Sequence, residues 1–357
     1  MDFDKNGDAW QQPTEEAEQP EQHRAEPPTQ RPPAGPIMPR EPRRRSGWRI
    51  FWGVILGLSI FANIVLLLLL IGAAAFLAVG RGNAVVEEVI QKGPASTKIA
   101  VVRLEGLIDN RKSADVCRQL KAAREDESVK GIILRVNSPG GMLTPSDEIY
   151  NDIRNKTDKP VIALMGGVAA SGGYYASVAC DRIMAEQTTI TGSIGVIAGW
   201  FVVKDLLKDK LGIEPVFVKS GPKKDWPSSF RESSPEVEQY LQDKLIQPAY
   251  RRFLDVVSEG RKKVLNPAQV RKLADGSIYS AEEALGLKLI DSIGYLEDAI
   301  EQLKILANIG EAQVIEYHKP FSLTEFLASR GEASFKFDKN TLLEATAPRA
   351  MYFWAGQ

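Results

Sequence analysis

The clearest folding signal in the chain is a pair of stretches, VKGIILRVNSPGG (residues 129–141) and PVIALMGGVAASGGYY (residues 160–175). In each, a short apolar run without helical period is followed by a glycine-rich turn, and such runs predict buried strands. Two further strands are predicted at residues 98–104 (KIAVVRL) and 214–219 (EPVFVK). Residues 145–155 have helical spacing. Strands that alternate with helices predict an α/β fold with a parallel sheet covered on both faces.

The pattern changes after residue 234, where a series of helices is predicted. Ser234 is a suitable N-cap and is followed by proline, which favours a long helix that ends near Gly260. Further helices are predicted at residues 266–274, 280–285 and 295–307, the second of which begins with a capping box.

An uncharged run of 30 residues extends from Ile50 to Val79. A bilayer core of about 30 Å needs roughly 20 apolar residues in a helix, so the run predicts a membrane span. A cleaved signal peptide has a shorter apolar core and starts nearer the N-terminus, so we expect the span to remain as an anchor. Arginines cluster over residues 40–49, which places the N-terminal tail in the cytoplasm and the rest of the chain outside it. The tail, residues 1–48, is rich in proline and poor in large apolar residues, and it is predicted to be disordered.

Composition excludes several classes of function. Lys+Arg number 45 and Asp+Glu 46, so the chain lacks the basic character that nucleic-acid binding requires. The cysteines, Cys117 and Cys180, make no disulfide framework, and the histidines, His23 and His318, are too few and too scattered for a metal site. The same scarcity of histidine argues against a Ser-His-Asp triad. No metal and no organic cofactor are expected.

Ser171 stands in the second glycine-rich turn, where small residues allow a substrate backbone to approach its hydroxyl. A serine is a weak nucleophile until a base takes its proton, and without histidine the available base is a lysine whose pKa burial has lowered. Lys223 and Lys224 are both candidates, and periodicity does not select between them. The first turn, residues 137–141, exposes backbone N–H groups that suit an anion, although an ordinary strand-to-helix turn has the same glycines.

An ordered set of motifs resembles the bacterial signal peptide peptidase A family, and the similarity extends from about residue 98 to residue 303. The motifs are NSPGG (137–141), GVAASGGYY (167–175), TGSIGV (191–196), SGPKKD (220–225) and ADGSIYSAEEALGLKLID (274–291). The resemblance, to the short form with one catalytic module, implies an α/β fold of Clp/crotonase-like repeated β-β-α units, preceded here by a disordered tail and one transmembrane helix. It also implies a Ser–Lys dyad and a homo-oligomeric ring whose active sites are built between neighbouring subunits.

The resemblance assigns roles to individual residues. Ser171 is the expected nucleophile, and Lys224 is the expected general base because the lysine of the family directly precedes an aspartate. Ser193 is expected to hold the lysine in place. The expected oxyanion donors are the backbone N–H groups of Gly141 and Gly172, with Gly140 as the alternative to Gly141.

The function implied is that of a membrane-anchored serine endopeptidase that cleaves hydrophobic peptides, such as released signal peptides, on the extracytoplasmic (periplasmic) side of a bacterial inner membrane. Its expected partners are these peptides, membrane lipid around one helix, and further copies of itself. Two alternatives are a catalytically silent membrane scaffold of the same fold and a crotonase-type acyl-thioester enzyme. The expected division is a tail (1–48), an anchor (49–80), a linker (81–95), a peptidase domain (96–305) and a C-terminal extension (306–357). The apolar end of that extension, residues 348–357, is hypothesised to dock on a neighbouring subunit or to meet the membrane.

Overall fold

The computed structural model describes residues 47–80, 85–318 and 349–353, and the chain divides into two units, residues 1–68 and 69–357. The first described element is helix α1 (Gly47–Gly80). Its residues Gly47–Ala74 have a mean hydropathy of 2.9 and are long and apolar enough to cross a membrane. The predicted apolar helix is therefore present. The prediction of disorder for residues 1–48 lies almost wholly outside the described residues.

Strands and helices alternate through the rest of the chain. The strands are β1 (Val86–Gln91), β2 (Lys98–Glu105), β3 (Val129–Ser138), β4 (Gly140–Met142), β5 (Val161–Ala170), β6 (Arg182–Ala185), β7 (Ile190–Gly192), β8 (Ile197–Gly199), β9 (Ile278–Ser280), β10 (Ser292–Ile293), β11 (Gln313–His318) and β12 (Arg349–Phe353). The helices after α1 are α2 (Asn110–Glu125), α3 (Leu143–Lys156), α4 (Gly172–Ser177), α5 (Pro235–Leu241), α6 (Gln247–Gly260), α7 (Pro267–Leu273), α8 (Ala281–Gly286) and α9 (Leu296–Ala307), with π-helical turns at Leu206–Lys210 and Gln242–Ile246.

In the described part of the chain, the main sheet contains nine strands, of which seven follow the order β1-β11-β2-β3-β5-β6-β10. Strand β7 pairs parallel with the end of β5, and β9 pairs antiparallel with β7. The pairs from β11 to β10 along this order are parallel, whereas β1 pairs antiparallel with β11. A second sheet has the order β4-β12-β8 with both pairs antiparallel. The predicted α/β fold with a parallel sheet is confirmed.

Both faces of the parallel sheet are buried, which explains why its strands appear in the sequence as continuous apolar runs. Successive side chains of a strand point to opposite faces. One face packs against helices α2, α3, α4 and α6, and the other packs against α9. Residues on the first face include Ala100, Val102, Leu104, Ile132 and Leu134, and residues on the second include Ile99, Val101, Ile133, Ile162 and Leu164. Burial of each large aliphatic side chain contributes about 1.5–3 kcal/mol.

The helix signals in the sequence agree with the structure. The Ser234 side chain accepts a hydrogen bond from the amide of Val237 and caps α5, which continues through a π-helical turn into α6 and ends at Gly260. The predicted capping box at the start of α8 is formed by Ser280 and Glu283. Local capping chemistry is therefore sufficient to place these helix starts.

One predicted strand is wrong. Residues 214–219 are apolar and β-branched, but the structure gives them no regular secondary structure. Val216 is 85% exposed and Val218 is fully exposed. A strand needs a partner for its backbone groups, and within the described residues this segment pairs with no other strand.

Two segments expected outside the peptidase domain contribute strands to its sheet. The expected linker, 81–95, contains β1, and the expected C-terminal extension, 306–357, contains β11, which lies between β1 and β2. The domain boundaries themselves remain a prediction.

Candidate active site

Ser171 lies between strand β5 and helix α4 in a backbone conformation that serine seldom adopts. Its φ is 53° and its ψ is −112°. The Ser171 amide donates to the carbonyl of Gly192 (2.8 Å), and the Ser171 carbonyl accepts from the amide of Tyr175 (2.8 Å). Conformations of this kind cost about 1–3 kcal/mol, persist where the surroundings fix them, and cluster at functional sites. The two backbone hydrogen bonds therefore hold Ser171 in a strained conformation between β5 and α4.

The Ser171 hydroxyl is buried and unpaired. The residue is 1% exposed, and its Oγ has no hydrogen-bond partner within the described residues. A buried hydroxyl without a partner costs about 1–3 kcal/mol, and most buried polar groups avoid this cost. Among the residues that the structure describes, the Ser171 hydroxyl is therefore an exception to this rule.

The backbone amides of Gly141 and Gly172 lie close together beside Ser171. An ideal Cβ built on Gly172 would lie 3.1 Å from the nitrogen of Gly141 and 2.6 Å from Oγ of Ser146. An ideal Cβ on Gly140 would lie 2.7 Å from the nitrogen of Gly172. Glycine at these positions thus allows the backbones of β4 and α4 to approach each other more closely than side chains would permit.

Hydrogen bonds orient the amides of β4. The Gly140 carbonyl accepts from the amide of Ile108 (2.9 Å), and the Met142 amide donates to the carbonyl of Ile108 (2.8 Å). Since successive residues of a strand point their backbone groups to opposite sides, the Gly141 N–H faces away from Ile108 and toward β12. The Gly140 amide is already occupied, because it donates to Oγ of Ser138 (3.0 Å).

Ser193 is the next residue after Gly192, whose carbonyl is hydrogen-bonded to the Ser171 amide. Gly192 also pairs with Ala170. Ser193 has a φ of 50°, is 9% exposed, and donates its amide to the carbonyl of Ser277 (2.7 Å). The structure thus brings Ser171, Gly141, Gly172 and Ser193 to one end of the sheet.

Lys224 is not part of this group within one chain. It is exposed in a turn in which its amide donates to the carbonyl of Gly221 (3.2 Å). Its ammonium makes no ion pair or hydrogen bond with the rest of the described structure. Because the Ser171 Oγ is also unpaired, a Ser–Lys contact is absent from the described residues of the single chain.

An extended segment of the chain itself occupies the edge of β4. Strand β12 pairs antiparallel with β4, with Tyr352 opposite Gly141, and on its other side β12 pairs with β8. The apolar residues 348–357 were hypothesised to dock on a neighbouring subunit or to meet the membrane, whereas residues 349–353 pair as a strand with β4 and β8 of the same chain. The register with β4 depends on long-range contacts that a local pattern does not contain.

The side chain of Tyr352 fills an aromatic pocket. Its ring lies 4.9 Å from that of Tyr175 and 4.8 Å from that of Phe253, and its hydroxyl donates to the carbonyl of Ala249 (3.0 Å). The Tyr175 hydroxyl donates to Asp147 (2.5 Å). Burial, together with this hydrogen bond, raises the pKa of Tyr175 far above its usual range. The Tyr175 hydroxyl therefore stays protonated at neutral pH.

A second cavity of about 490 Å³ opens beside Ser193. Its lining is mainly apolar and includes Val196, Ile197, Tyr250 and Phe353. Among the residues that the structure describes, His, Cys, Asp and Glu do not gather in a group that could hold a metal ion.

Comparison with known proteins gives matches over most of the α/β domain. Residues 153–310 match the model of peptidase family S49, and residues 89–191 match that of Clp protease. The chain is 38% identical over 248 residues to a putative signal peptide peptidase SppA of Enterococcus faecium, an alignment that covers 66% of this chain and 71% of the relative. It is 37% identical to a putative protease of Synechocystis sp., with 62% of this chain and 80% of the relative covered. It is also 38% identical to Protease 4 of Haemophilus influenzae over 59% of this chain, but it covers only 35% of that relative.

Proposed function

We propose, from the premise that this chain belongs to peptidase family S49 and is a serine peptidase, that Ser171 is its nucleophile and that Lys224 of a second copy is its general base. The family, the enzyme class and the Clp-type fold expected from the motifs are confirmed. The observation that carries the proposal is the buried, unpaired hydroxyl of Ser171 in a fixed, unusual backbone conformation.

The amides of Gly141 and Gly172 are the proposed oxyanion donors. Both lie beside Ser171, and two backbone N–H groups aimed at one point stabilise the negative oxygen that develops when a carbonyl is attacked. Gly141 is preferred to Gly140 because the Gly140 amide already donates to Ser138, whereas the Gly141 N–H faces the strand edge that β12 covers and at which peptides are proposed to bind. Ser193 is the proposed group that holds the incoming lysine, since it follows the residue that hydrogen-bonds to Ser171.

The base is proposed to come from a neighbouring copy because the segment that carries Lys224 has the properties of an interface. Residues 203–229, here called the arm, are closed at the base by a hydrogen bond from the Val203 amide to the Ser229 carbonyl (2.7 Å). Near and within the arm, large apolar side chains are exposed, among them Phe201 (74%), Val216 (85%) and Val218 (100%). Exposed apolar surface of this extent is typical of a protein–protein contact. Burial of the arm against a second copy would bring Lys224 out of water.

The chemistry is peptide-bond hydrolysis through an acyl-enzyme. The neutral Lys224 amine takes the proton of Ser171 as Oγ attacks the carbonyl carbon, and the carbonyl oxygen becomes an oxyanion held by the two amides. The ammonium then gives its proton to the leaving nitrogen as the C–N bond breaks. Water, deprotonated by the same amine, attacks the Ser171 ester, and the proton returns to Oγ.

The substrates are proposed to be extended apolar peptides, including released signal peptides. An extended peptide adds to a strand edge through its main chain and places alternate side chains in pockets. The edge of β4 beside Ser171 already accepts such a strand, β12, and the aromatic pocket already accepts the ring of Tyr352. A peptide bound there would place its carbonyl groups next to the amide of Gly141.

The apolar helix near the N-terminus and the SppA relative fit a membrane-anchored protein. We propose a single-pass anchor in a bacterial inner membrane with the arginine-flanked N-terminus in the cytoplasm and the peptidase domain on the extracytoplasmic side. The assembly is proposed to be a homo-oligomeric ring, because a site shared head-to-tail between copies closes into a ring when the rotation allows it.

The test uses the full-length enzyme in detergent micelles and a serine-reactive fluorophosphonate. Wild-type enzyme should be labelled at Ser171, and both Ser171→Ala and Lys224→Ala should lose labelling and peptide hydrolysis. Lys223→Ala should keep labelling. Hydrolysis that survives in Ser171→Ala would refute the proposed nucleophile. If wild-type enzyme is not labelled and the Ser171→Ala variant keeps the biological function of the wild type, the result would support a silent scaffold instead.

Complementation separates a shared site from an internal one. In oligomers assembled from equal amounts of co-expressed Ser171→Ala and Lys224→Ala chains, random mixing pairs an intact serine with an intact lysine at about a quarter of the sites. Activity should therefore return to about that fraction of the wild-type value. If co-expression restores nothing while each chain still assembles, the base does not come from a second copy.

A further inference from the structure

The turn that carries Lys224 is clamped by a carboxylate. Asp225 accepts from the Nζ of Lys219 through both oxygens, at 2.8 and 2.9 Å, and it also pairs with the guanidinium of Arg231. Lys219 precedes the turn and Arg231 follows it, so the Asp225 carboxylate links the segment that enters the turn to the segment that leaves it. Charged pairs that share one acceptor restrain geometry more than an isolated surface pair does.

The neighbouring lysine is engaged on the opposite side of the same turn. The Nζ of Lys223 lies 5.0 Å from the ring centroid of Trp226 and 4.8 Å from that of Tyr240, which are the distances of a cation–π contact. The two rings contact each other edge to face at 5.5 Å, and Tyr240 belongs to helix α5. The turn is thereby attached to a helix of the domain, and one of its two ammonium groups is held there.

Lys224 is left as the ammonium that projects from the turn. It is exposed, and within the described residues it has no side-chain partner, whereas Lys219 and Lys223 both have one. We propose that Asp225 is a positioning residue that, through Lys219 and Arg231, fixes this turn so that Lys224 rather than Lys223 is presented to Ser171 of the neighbouring copy. This inference rests on the proposed role of Lys224 as the base.

The test compares Asp225→Asn, Asp225→Glu and wild-type enzyme by hydrolysis of a quenched fluorogenic peptide, with kcat and KM measured. Asp225→Asn has the same shape without the charge, and a misplacement on the order of 1 Å should lower kcat by about 10-fold to 100-fold. KM should stay close to the wild-type value, because the peptide binds at β4 and not at the turn. Asp225→Glu, which retains a carboxylate, should recover part of the loss.

A matched control is available on the same segment of chain. Glu232 pairs with Lys204 at 3.0 Å and is 76% exposed, so Glu232→Gln removes an ion pair beside the arm without loosening the turn. This variant should keep the wild-type kcat. Arg231→Gln loosens the clamp from the other side and should lower kcat as Asp225→Asn does, which covers the case in which Asp225→Asn does not fold.

The possible outcomes separate the two proposals. If Lys224→Ala keeps its activity, the proposed base is wrong regardless of the behaviour of Asp225. If Lys224→Ala is inactive while Asp225→Asn and Arg231→Gln match wild-type enzyme, only the positioning role is overturned. A loss of kcat accompanied by a raised KM, with no recovery in Asp225→Glu, would also overturn it, because a general loss of structure produces that pattern.

Discussion

Gly172→Ala should lower kcat strongly although the substitution adds only a methyl group. The new Cβ would lie 2.6 Å from Oγ of Ser146 and 3.1 Å from the nitrogen of Gly141, whereas ordinary contacts are 3.4–4 Å. Relief of the contact with Ser146 requires a displacement of about 1 Å, which at a reacting centre costs on the order of 100-fold in rate. Since each factor of ten corresponds to about 1.36 kcal/mol, the expected loss of transition-state stabilisation is about 2.7 kcal/mol.

A second substitution tests whether the contact with Ser146 is the cause. Ser146→Ala removes the oxygen that the methyl group would meet, and by itself it sacrifices only a hydrogen bond to the carbonyl of Met142 (2.9 Å). The double variant Gly172→Ala/Ser146→Ala should therefore recover most of the lost kcat. The difference between its loss of kcat and the sum of the two single losses, both expressed as free energies, measures the coupling between the two positions. The assay is hydrolysis of a fluorogenic peptide by full-length enzyme, with thermal denaturation to confirm folding.

Gly286→Ala is the control, because nothing lies within 4 Å of a Cβ at that position. It should leave kcat unchanged. The reasoning is refuted if Gly172→Ala has the wild-type kcat, or if the double variant is no more active than Gly172→Ala.

Three other predictions concern the groove, a thiol and the core. Tyr352→Ala removes a ring that is 2% exposed from the groove in which peptides are proposed to bind. Loss of a buried ring costs about 3 kcal/mol, so kcat/KM for a peptide substrate should rise, by at most about 100-fold; an unchanged value would show that β12 and the peptide do not compete. Burial raises the pKa of Cys117 to about 11, so the thiol should be un-ionised at neutral to mildly alkaline pH. Mass spectrometry should therefore show that Cys117 reacts with iodoacetamide far more slowly in the native chain than in the unfolded chain. Equal rates would contradict its burial. Ile133→Ala in the fully buried centre of β3 should lower the unfolding free energy by about 2–5 kcal/mol in a denaturant titration, and a change below that range would mean that the sheet repacks around the gap.

The sequence was sufficient for the elements whose partners are local or whose burial is complete. Strands β2, β3 and β5 are buried on both faces, and each appeared as an apolar run. The helices with capping signals at Ser234 and Ser280 were equally accessible, because capping is a contact between residues three positions apart.

Elements stabilised by distant partners were missed or wrongly assigned. Residues 214–219 have strand composition but no strand to pair with in one chain. Strand β12 was not predicted, because its place between β4 and β8 depends on residues more than 150 positions earlier. In the candidate site, motif order predicts Ser171 and its glycines as site residues, whereas the hydrogen bond from the Gly140 amide to Ser138, which bears on the proposed choice of Gly141, is visible only in the coordinates.

The position of β11 has a consequence for biosynthesis. This strand, near the end of the described α/β domain, lies between β1 and β2, which are among its first elements, and Arg103 and Glu316 pair across 213 residues of chain. While the polypeptide is being made, β2 must wait with one edge open until nearly the whole domain has emerged. Pairing between strands so distant in the chain is slow, and until it occurs the unpaired edge of β2 is prone to aggregation. A nascent chain of this protein therefore carries an unpaired edge on β2 until residues 313–318 have emerged from the ribosome.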